Sequence, residues 1–476
     1  MLPVLVKHIN TLKHKHVNTN HYSLKIDESL ELKKKIFKHT LILSVQLLYL
    51  QNFHKKRSII LMKNLLFKLA LTASFFALLS TTQTLKAQCI KNDQGEYVLP
   101  DGVTPCPNAI ITAVPFLRIV SDARSGALGD AGIAISSDAN AMHFNQSKLV
   151  FAENDLGMSA TYTPWLRALG LNDVYLAYLT GYYKINDLQA VGLGLRYFSL
   201  GEINFTDANG EPIGFGRPNE FEITGAYSRK LSDKFSAGIG AKFIFSNLAS
   251  GQQVNGQLIE VGTAGAADIS LTYQSPMKLG NNDADLTVGM AITNIGSKIT
   301  YTNAANNEKD FIPTNLGIGA ALKTQLDQYN SITITTDINK FLVPTRCLND
   351  PDTPNINECD TDQNGIDDWK EESTIGGIFS SFGDAPGGTK EEFRELMYSI
   401  GLEYWYDEQF AVRAGYYTEH QTKGARQYFT VGLGLKYNIF GINFSYLVPT
   451  TSQRNPLDNT LRFSLLFDFG ALEGDN

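Results

Sequence analysis

The stretch 427–469 constrains the fold more than any other part of the chain, because apolar side chains alternate there with small or polar ones. A period of two places successive side chains on opposite faces of a β-strand. Three such runs follow one another, separated by a tight turn at 438–441 and by a loop containing proline and asparagine. Strands of about ten residues with one aromatic-rich face are typical of a membrane-spanning β-barrel. The competing interpretation is a soluble β-sandwich.

Similar alternation recurs along the chain and predicts fourteen strands, an even number, as in single-chain bacterial outer-membrane barrels. The predicted strands are 156–163, 173–184, 188–198, 221–230, 234–246, 264–275, 284–294, 314–324, 330–340, 395–406, 409–418, 428–438, 441–447 and 460–469.

The lengths of the predicted connections separate the barrel from the sandwich. Connections after the even-numbered strands are short, and most of those after the odd-numbered strands are long. Outer-membrane barrels show this pattern, with the short turns in the periplasm. The sequence therefore predicts an all-β, 14-stranded antiparallel transmembrane barrel over 153–469. Both termini would lie in the periplasm, and the long loop 341–394 would lie outside the cell.

The first 87 residues predict an exported protein. Residues 1–61 hold 11 of the 41 Lys and Arg and six of the eight His, and we interpret them as a mis-called N-terminal extension. Residues 62–87 combine a basic start, an apolar run and small residues at the end, which predicts a signal peptide. A membrane anchor is the alternative, but the apolar runs 41–50 and 69–79 are shorter than the roughly 18 residues that a spanning helix needs.

The composition after residue 87 excludes some functions and predicts disulfides. This part has 27 basic and 45 acidic residues without a basic stripe, which argues against nucleic-acid binding. Its cysteines form two close pairs, Cys89 with Cys106 and Cys347 with Cys359. An even number of cysteines in an exported chain predicts disulfides. A metal site is the weaker alternative, because no His lies near either pair.

Residues 88–152 do not alternate and predict an N-terminal periplasmic or plug segment. The part 88–121 contains scattered prolines, and 122–152 is rich in small residues. Such a plug could gate the lumen or simply fill a wide barrel, and the sequence does not separate the two.

Residues 360–371 match the spacing of a twelve-residue calcium loop. Such a loop places oxygen ligands at positions one, three, five, seven, nine and twelve and glycine at position six. Position eight carries Asp367 instead of an apolar residue, so a solvated acidic loop is the alternative. The predicted Ca²⁺ ligands are Asp360, Asp362, Asn364, the Ile366 carbonyl, Asp368 and Glu371.

Catalysis has little support in the sequence. Only two His follow the signal peptide, His143 and His420, which leaves few options for a Ser-His-acid triad. We therefore predict that the protein is not an enzyme.

Several motifs resemble those of one family, named PorV or LptO, an outer-membrane protein of the type IX secretion system in Bacteroidota. The resemblance covers about 110–469, and one departure is HFNQ at 143–146, where the family has an aromatic-Asn-Pro run. The motifs are PFLRI at 115–119, DARSGALGDAG at 122–132, DANA at 138–141, YTPWLR at 162–167, LRYFSLG at 195–201, FIPTNL at 311–316, SFGDAPGG at 381–388 and SQRNPL at 452–457.

The resemblance implies a FadL-like barrel that carries protein cargo and is not a pore for small solutes. The implied carrier receives cargo proteins from the translocon through their C-terminal signal domains and passes them to the sortase-containing attachment complex. Its implied surroundings are outer-membrane lipid and lipopolysaccharide. Two alternatives stay open: a FadL-type channel for hydrophobic solutes, and a factor for lipopolysaccharide O-deacylation.

Overall fold

The structure is a computed structural model of the 476-residue chain. It describes residues 90–91, 97–98, 108–167, 170–206, 210–254, 257–302, 309–347, 359–385, 388–450 and 459–472. The predictions for 1–61, for the signal peptide 62–87 and for Cys89 and Cys106 lie outside these residues.

Fourteen antiparallel strands close into one barrel, in which each strand pairs with its neighbours in the chain and the last pairs with the first. The prediction of a 14-stranded barrel is confirmed. The strands, numbered β1 to β14 in chain order, are Leu156–Pro164, Val174–Asn186, Gln189–Leu200, Asn219–Ser232, Phe235–Asn247, Gly262–Leu279, Asn282–Gly296, Asn315–Gln325, Asn330–Phe341, Met397–Tyr406, Phe410–Thr418, Gln427–Tyr437, Phe440–Pro449 and Leu461–Asp468.

The alternation in the sequence sorts side chains between the lumen and the outer face of the barrel. On β9, Thr333, Thr335 and Asp337 are buried inside, whereas Ile334 and Ile338 are exposed outside. Lipid offers no hydrogen bonds, so a spanning strand needs an apolar outer face, and its backbone groups must bond to neighbouring strands all the way round a closed barrel. The barrel meets both requirements.

The two ends of the barrel differ as the sequence predicts. The turns after β2, β4 and β6 contain two residues each, and those after β8, β10 and β12 are also short. We call this the short-turn end. The opposite, long-loop end carries the longer connections, including the loop 342–396 between β9 and β10. Two small hairpins lie in the other long connections and one precedes the barrel: Ile203–Thr206 with Pro212–Gly216, Gln253–Val254 with Gln257–Leu258, and Ile90–Lys91 with Tyr97–Val98.

Short helices occur before β1 and in the loop 342–396. None of the helices in the described ranges is long and apolar enough to cross a membrane. They are α1 Ala123–Gly126, α2 Ala141–Phe144, α3 Asp368–Glu371, α4 Thr374–Ser380 and α5 Thr389–Arg394, with 3-10 turns at Pro115–Arg118, Gln146–Phe151 and Phe469–Leu472.

Residues 108–155 pass through the lumen from one end to the other, and we call them the plug. At the long-loop end, the Asn108 side chain donates to the Arg346 carbonyl at 2.7 Å. At the short-turn end, Tyr182 Oη donates to the Asn154 carbonyl at 3.0 Å. The apolar core lies inside the barrel, where plug residues such as Phe116 and Leu149 pack against the wall.

The seam between β14 and β1 has fewer paired residues than any other junction of neighbouring barrel strands. Six register pairs join these strands, from Phe463 with Tyr162 to Asp468 with Gly157. The Ser464 hydroxyl links the two strands of the seam to the plug. Its Oγ lies 2.6 Å from Thr161 Oγ1 of β1 and accepts a hydrogen bond from the backbone N–H of Ala123 in α1 at 2.8 Å. The plug therefore contacts the seam directly.

Candidate functional site

Buried charges hold the plug to the barrel wall, and the central group is Glu403 on β10. Arg124 of α1 donates to both oxygens of its carboxylate at 2.9 and 2.8 Å, and Arg413 of β11 donates to it at 2.7 Å. Arg124 also pairs with Asp138 at 3.2 Å. Charge-assisted bonds of this kind are strong and directional. They fix α1 against two adjacent strands.

Further polar contacts continue this attachment around the barrel. Asp337 of β9 accepts the backbone N–H groups of Gly132 and Ile133 at 2.7 and 2.9 Å. On the other side, Gln146 Nε2 donates to Asp268 of β6 at 2.6 Å, and Lys242 of β5 pairs with the same carboxylate at 2.9 Å. The plug is bonded to the wall on several sides.

Neither histidine of the described chain contacts a carboxylate oxygen. Arg196 donates to Nδ1 of His143, and the same arginine pairs with Glu222 at 3.3 Å. The ring of His420 contacts Thr422 Oγ1 at 2.9 Å. A general base in a Ser-His-acid triad needs a carboxylate on one ring nitrogen and a nucleophile on the other. The contacts of these two rings differ from that arrangement.

A disulfide and a half-buried lysine fold the first part of the loop 342–396 onto the barrel end. Cys347 and Cys359 form the predicted disulfide, and the Cys359 carbonyl accepts the N–H of Asp368 at 2.8 Å. Lys298, from the β7–β8 loop, donates to the Lys370 carbonyl at 2.5 Å and lies 4.0 Å from the centre of the Phe311 ring. Burial lowers the pKa of Lys298.

The structure brings most of the predicted calcium ligands together. Carboxylate oxygens of Asp360, Asp362 and Asp368 lie within 4.8 Å of one another. Asn364 Nδ2 donates to Asp362 at 2.9 Å and to Glu371 at 3.0 Å. The N–H of Ile366 donates to Asn364 Oδ1 at 2.8 Å, and the role of the Ile366 carbonyl stays a prediction.

The second part of the same loop exposes four large apolar side chains. Ile375 and Phe379 lie four residues apart on α4 and so share a face. The opposite side of this helix packs through Gly377 against Pro344. We call the exposed set the aromatic face of the loop: Ile375 (58% exposed), Phe379 (73%), Phe382 (54%) and Phe393 (67%).

Ion pairs hold the helix that carries Phe393 against the barrel. Glu392 of α5 pairs with Lys340 at the end of β9 at 3.1 Å. Glu391 of the same helix pairs with Lys423 from the β11–β12 loop at 2.6 Å. The helix is thus anchored at two points while Phe393 stays exposed.

Reasoning from sequence missed both the charge cluster and the aromatic face. One signal was present: Glu403 and Arg413 are charged residues inside alternating strands, at positions that face the lumen. The partner Arg124 lies 279 residues from Glu403, and no local pattern links them. The aromatic face had no periodic signal beyond the pair at 375 and 379.

These features define a class of protein: a plugged, 14-stranded transmembrane β-barrel with one long, folded loop. The family described as Type IX secretion system protein PorV matches residues 104–348, more than half of the chain. The chain belongs to this family, and the protein is an outer-membrane component of type IX secretion. No curated protein sequence matches the chain.

Several solved structures are similar in fold. The toluene transporter TbuX of Ralstonia pickettii is 11% identical, with a TM-score of 0.38, over 72% of this chain and 96% of that one. A FadL homologue of Pseudomonas aeruginosa is 12% identical, with a TM-score of 0.35, over 76% and 100%. LpxR of Salmonella typhimurium is 9% identical, with a TM-score of 0.28, over 66% and 100%.

Proposed function

We propose that this barrel is a shuttle and attachment-complex component of type IX secretion that captures proteins at its long-loop end. The observation that carries the proposal is the aromatic face of the loop 342–396, which sits on an anchored scaffold. Exposed apolar patches on a folded protein mark interaction sites. The partners would be cargo proteins with C-terminal signal domains, the translocon that delivers them and the sortase-containing complex that receives them.

The filled lumen supports this proposal over a FadL-type solute channel. A channel for hydrophobic solutes needs an apolar pocket and a path, but charged and polar side chains bond the plug to the wall. The contacts of the two histidines favour a binding protein over a lipopolysaccharide O-deacylation enzyme. Protein capture therefore fits the arrangement better than either alternative.

The direct test replaces Phe379 and Phe393 together by serine. Truncating an aromatic anchor typically costs about 2 kcal/mol or more of binding energy, so we expect co-purification of secreted proteins to fall by roughly tenfold or more. The barrel should keep its heat-modifiable migration on gels, because neither ring contributes to the strands. Phe215→Ser is the control, since Phe215 is equally exposed at 67% but lies in another connection. Undiminished capture by the double variant would reject the proposal.

We also propose that the short turns face the periplasm and the long loops face the outside. β14 then ends on the periplasmic side. Asn108 lies at the opposite end, so the plug enters the lumen from the long-loop side; the location of residue 88 stays a prediction. Ile111→Cys, at a 60% exposed position, should react with an impermeant thiol reagent on intact cells, whereas Asp233→Cys should not. The reverse labelling pattern would show that the short turns face the outside and would reject this orientation.

We propose that the loop 360–371 binds Ca²⁺. The motif spacing and the convergence of Asp360, Asp362 and Asp368 support this site. Extracellular calcium modules bind at about 10⁻⁴–10⁻³ M, and we expect a dissociation constant in that range. Calorimetry on the full-length barrel should show binding that Asp362→Ala with Glu371→Ala removes. The control Asp283→Ala, near the start of β7 with a side chain that is 84% exposed, should retain it. If the wild type, the double variant and the control all gave the same heats, the loop would be a solvated acidic loop and not a Ca²⁺ site.

A further inference from the structure

A cavity of about 110 Å³ lies between the plug and the long-loop end of the barrel. One liquid water molecule takes up about 30 Å³, so the cavity has room for a small ion or a molecule of a few non-hydrogen atoms. Its lining includes two guanidinium groups, Arg118 from the plug and Arg426 at the end of the β11–β12 loop, together with His143. These three side chains can all donate hydrogen bonds.

Arg118 uses only a small part of its hydrogen-bonding capacity. Its guanidinium lies 3.9 Å from the centre of the Phe341 ring, which fixes the plane of the group. Its polar contacts are to Glu419 Oε1 at 3.4 Å and to Met397 Sδ at 3.8 Å, and both use Nη2. An arginine has five N–H donors. The donors on Nε and Nη1 therefore have no partner in the described ranges.

The nearby carboxylate is already committed to other groups. Arg426 Nε donates to Glu419 Oε2 at 3.0 Å, and Arg426 Nη2 bonds to Oε1. Tyr417 Oη donates to Oε1 at 2.7 Å. Two guanidinium groups thus share one carboxylate, and Arg118 makes the longer and weaker contact. A positive charge that is 77% buried requires more compensation than this.

His143 adds a further donor to the cavity wall. Arg196 donates to its Nδ1, so the neutral ring carries its proton on Nε2, where it can donate. The two carboxylates in the lining, Asp130 and Asp337, accept hydrogen bonds through Oδ2 from Tyr428 and from plug amides. Their Oδ1 atoms are buried and have no hydrogen-bond partner among the described residues, and Asp130 Oδ1 lies 3.5 Å from Arg462. At Arg118 itself, the groups without a described partner are the donors on Nε and Nη1.

We propose that this cavity binds a small oxyanion, a carboxylate or a phosphate, with Arg118 as its main contact. The Nε–H and Nη1–H groups of Arg118 point in different directions, so each can donate a single charge-assisted hydrogen bond to an oxygen of such a group. The site is distinct from the aromatic face of the loop and does not depend on protein capture.

Calorimetry on the full-length barrel in detergent and chloride buffer tests the site, with sodium acetate and inorganic phosphate titrated separately. We expect one saturable site for at least one of these anions. Binding of acetate alone identifies a carboxylate site, and binding of phosphate alone identifies a phosphate site. The absence of binding by both anions overturns the proposal.

Three variants assign the binding to Arg118. Arg118→Gln should lower the affinity at least tenfold, and Arg118→Lys, which keeps the charge but loses the guanidinium donors, should lie between it and the wild type. Arg217→Gln is the matched control, because Arg217 is 77% exposed and pairs with Glu202 outside the cavity. All variants are first checked for heat-modifiable migration. If Arg118→Lys or Arg118→Gln binds as tightly as the wild type, Arg118 is not the contact and the proposal fails.

Discussion

Replacing Gly415 by valine is expected to open the lumen of a barrel that still forms its strands. Gly415 on β11 faces inward, and a Cβ atom there would overlap the backbone of Leu128 and Gly129 in the plug. Backbone cannot move aside as a side chain can. Gly129 has a left-handed conformation at φ 68°, and its N–H donates to Thr430 Oγ1 at 2.9 Å, so the turn has no room to adapt. The plug should therefore leave this part of the wall.

Single-channel conductance in planar bilayers measures the result. We expect no stable ion current through the wild type and a clear current through Gly415→Val. Gly225→Val is the control, because Gly225 lies on the outer face of β4 with no atom within 4 Å of an added Cβ. A folded Gly415→Val barrel without current would show that the plug adapts to the larger side chain.

Replacing Glu403 by leucine is expected to destabilise the protein more than replacing any other charged side chain between the plug and the wall. Arg124 and Arg413 would both stay in the lumen without their carboxylate. Removing one partner from a buried ion pair costs about 3–5 kcal/mol. The temperature at which the folded band disappears on semi-native gels should fall strongly.

A matched control and a rescue sharpen this test. Glu202→Leu removes one partner of an exposed pair with Arg217, and exposed pairs contribute only about 0–1 kcal/mol. Adding Arg124→Met and Arg413→Met to Glu403→Leu removes the two arginine charges and should restore part of the lost stability, although Asp138 then loses its pair with Arg124. If Glu403→Leu melts at the wild-type temperature, the charge cluster does not hold the plug.

The strands could be predicted from sequence because lipid and lumen impose opposite chemistry on alternate residues. The run from Ser331 to Asn339 shows this, since Ser331, Thr333, Thr335 and Asp337 are buried on the inner face of β9 and Thr336 is the one polar residue on its outer face. Loop lengths then separated the two ends of the barrel without any structure.

The path of the plug and its contacts could not be predicted. Residues 122–152 have no period, so nothing in them indicates that Arg124 faces Glu403 or that Gly129 meets Gly415. Such contacts join positions hundreds of residues apart and depend on the closed shape of the barrel. The aromatic face of the loop could not be predicted for a related reason, because its exposure depends on how the disulfide and α5 fold the loop.

The contact between the plug and the seam has a consequence for the order of assembly. α1 belongs to the part of the barrel region that is synthesised first, and β14 is synthesised last. Yet the Ala123 N–H bonds to Ser464 beside the junction with the fewest paired residues, and Arg462 of β14 pairs with Asp130 at 3.5 Å. Closing the ring around an absent plug would leave Arg462 facing the lumen without this partner. We therefore expect the plug to be in place before the final strand completes the barrel.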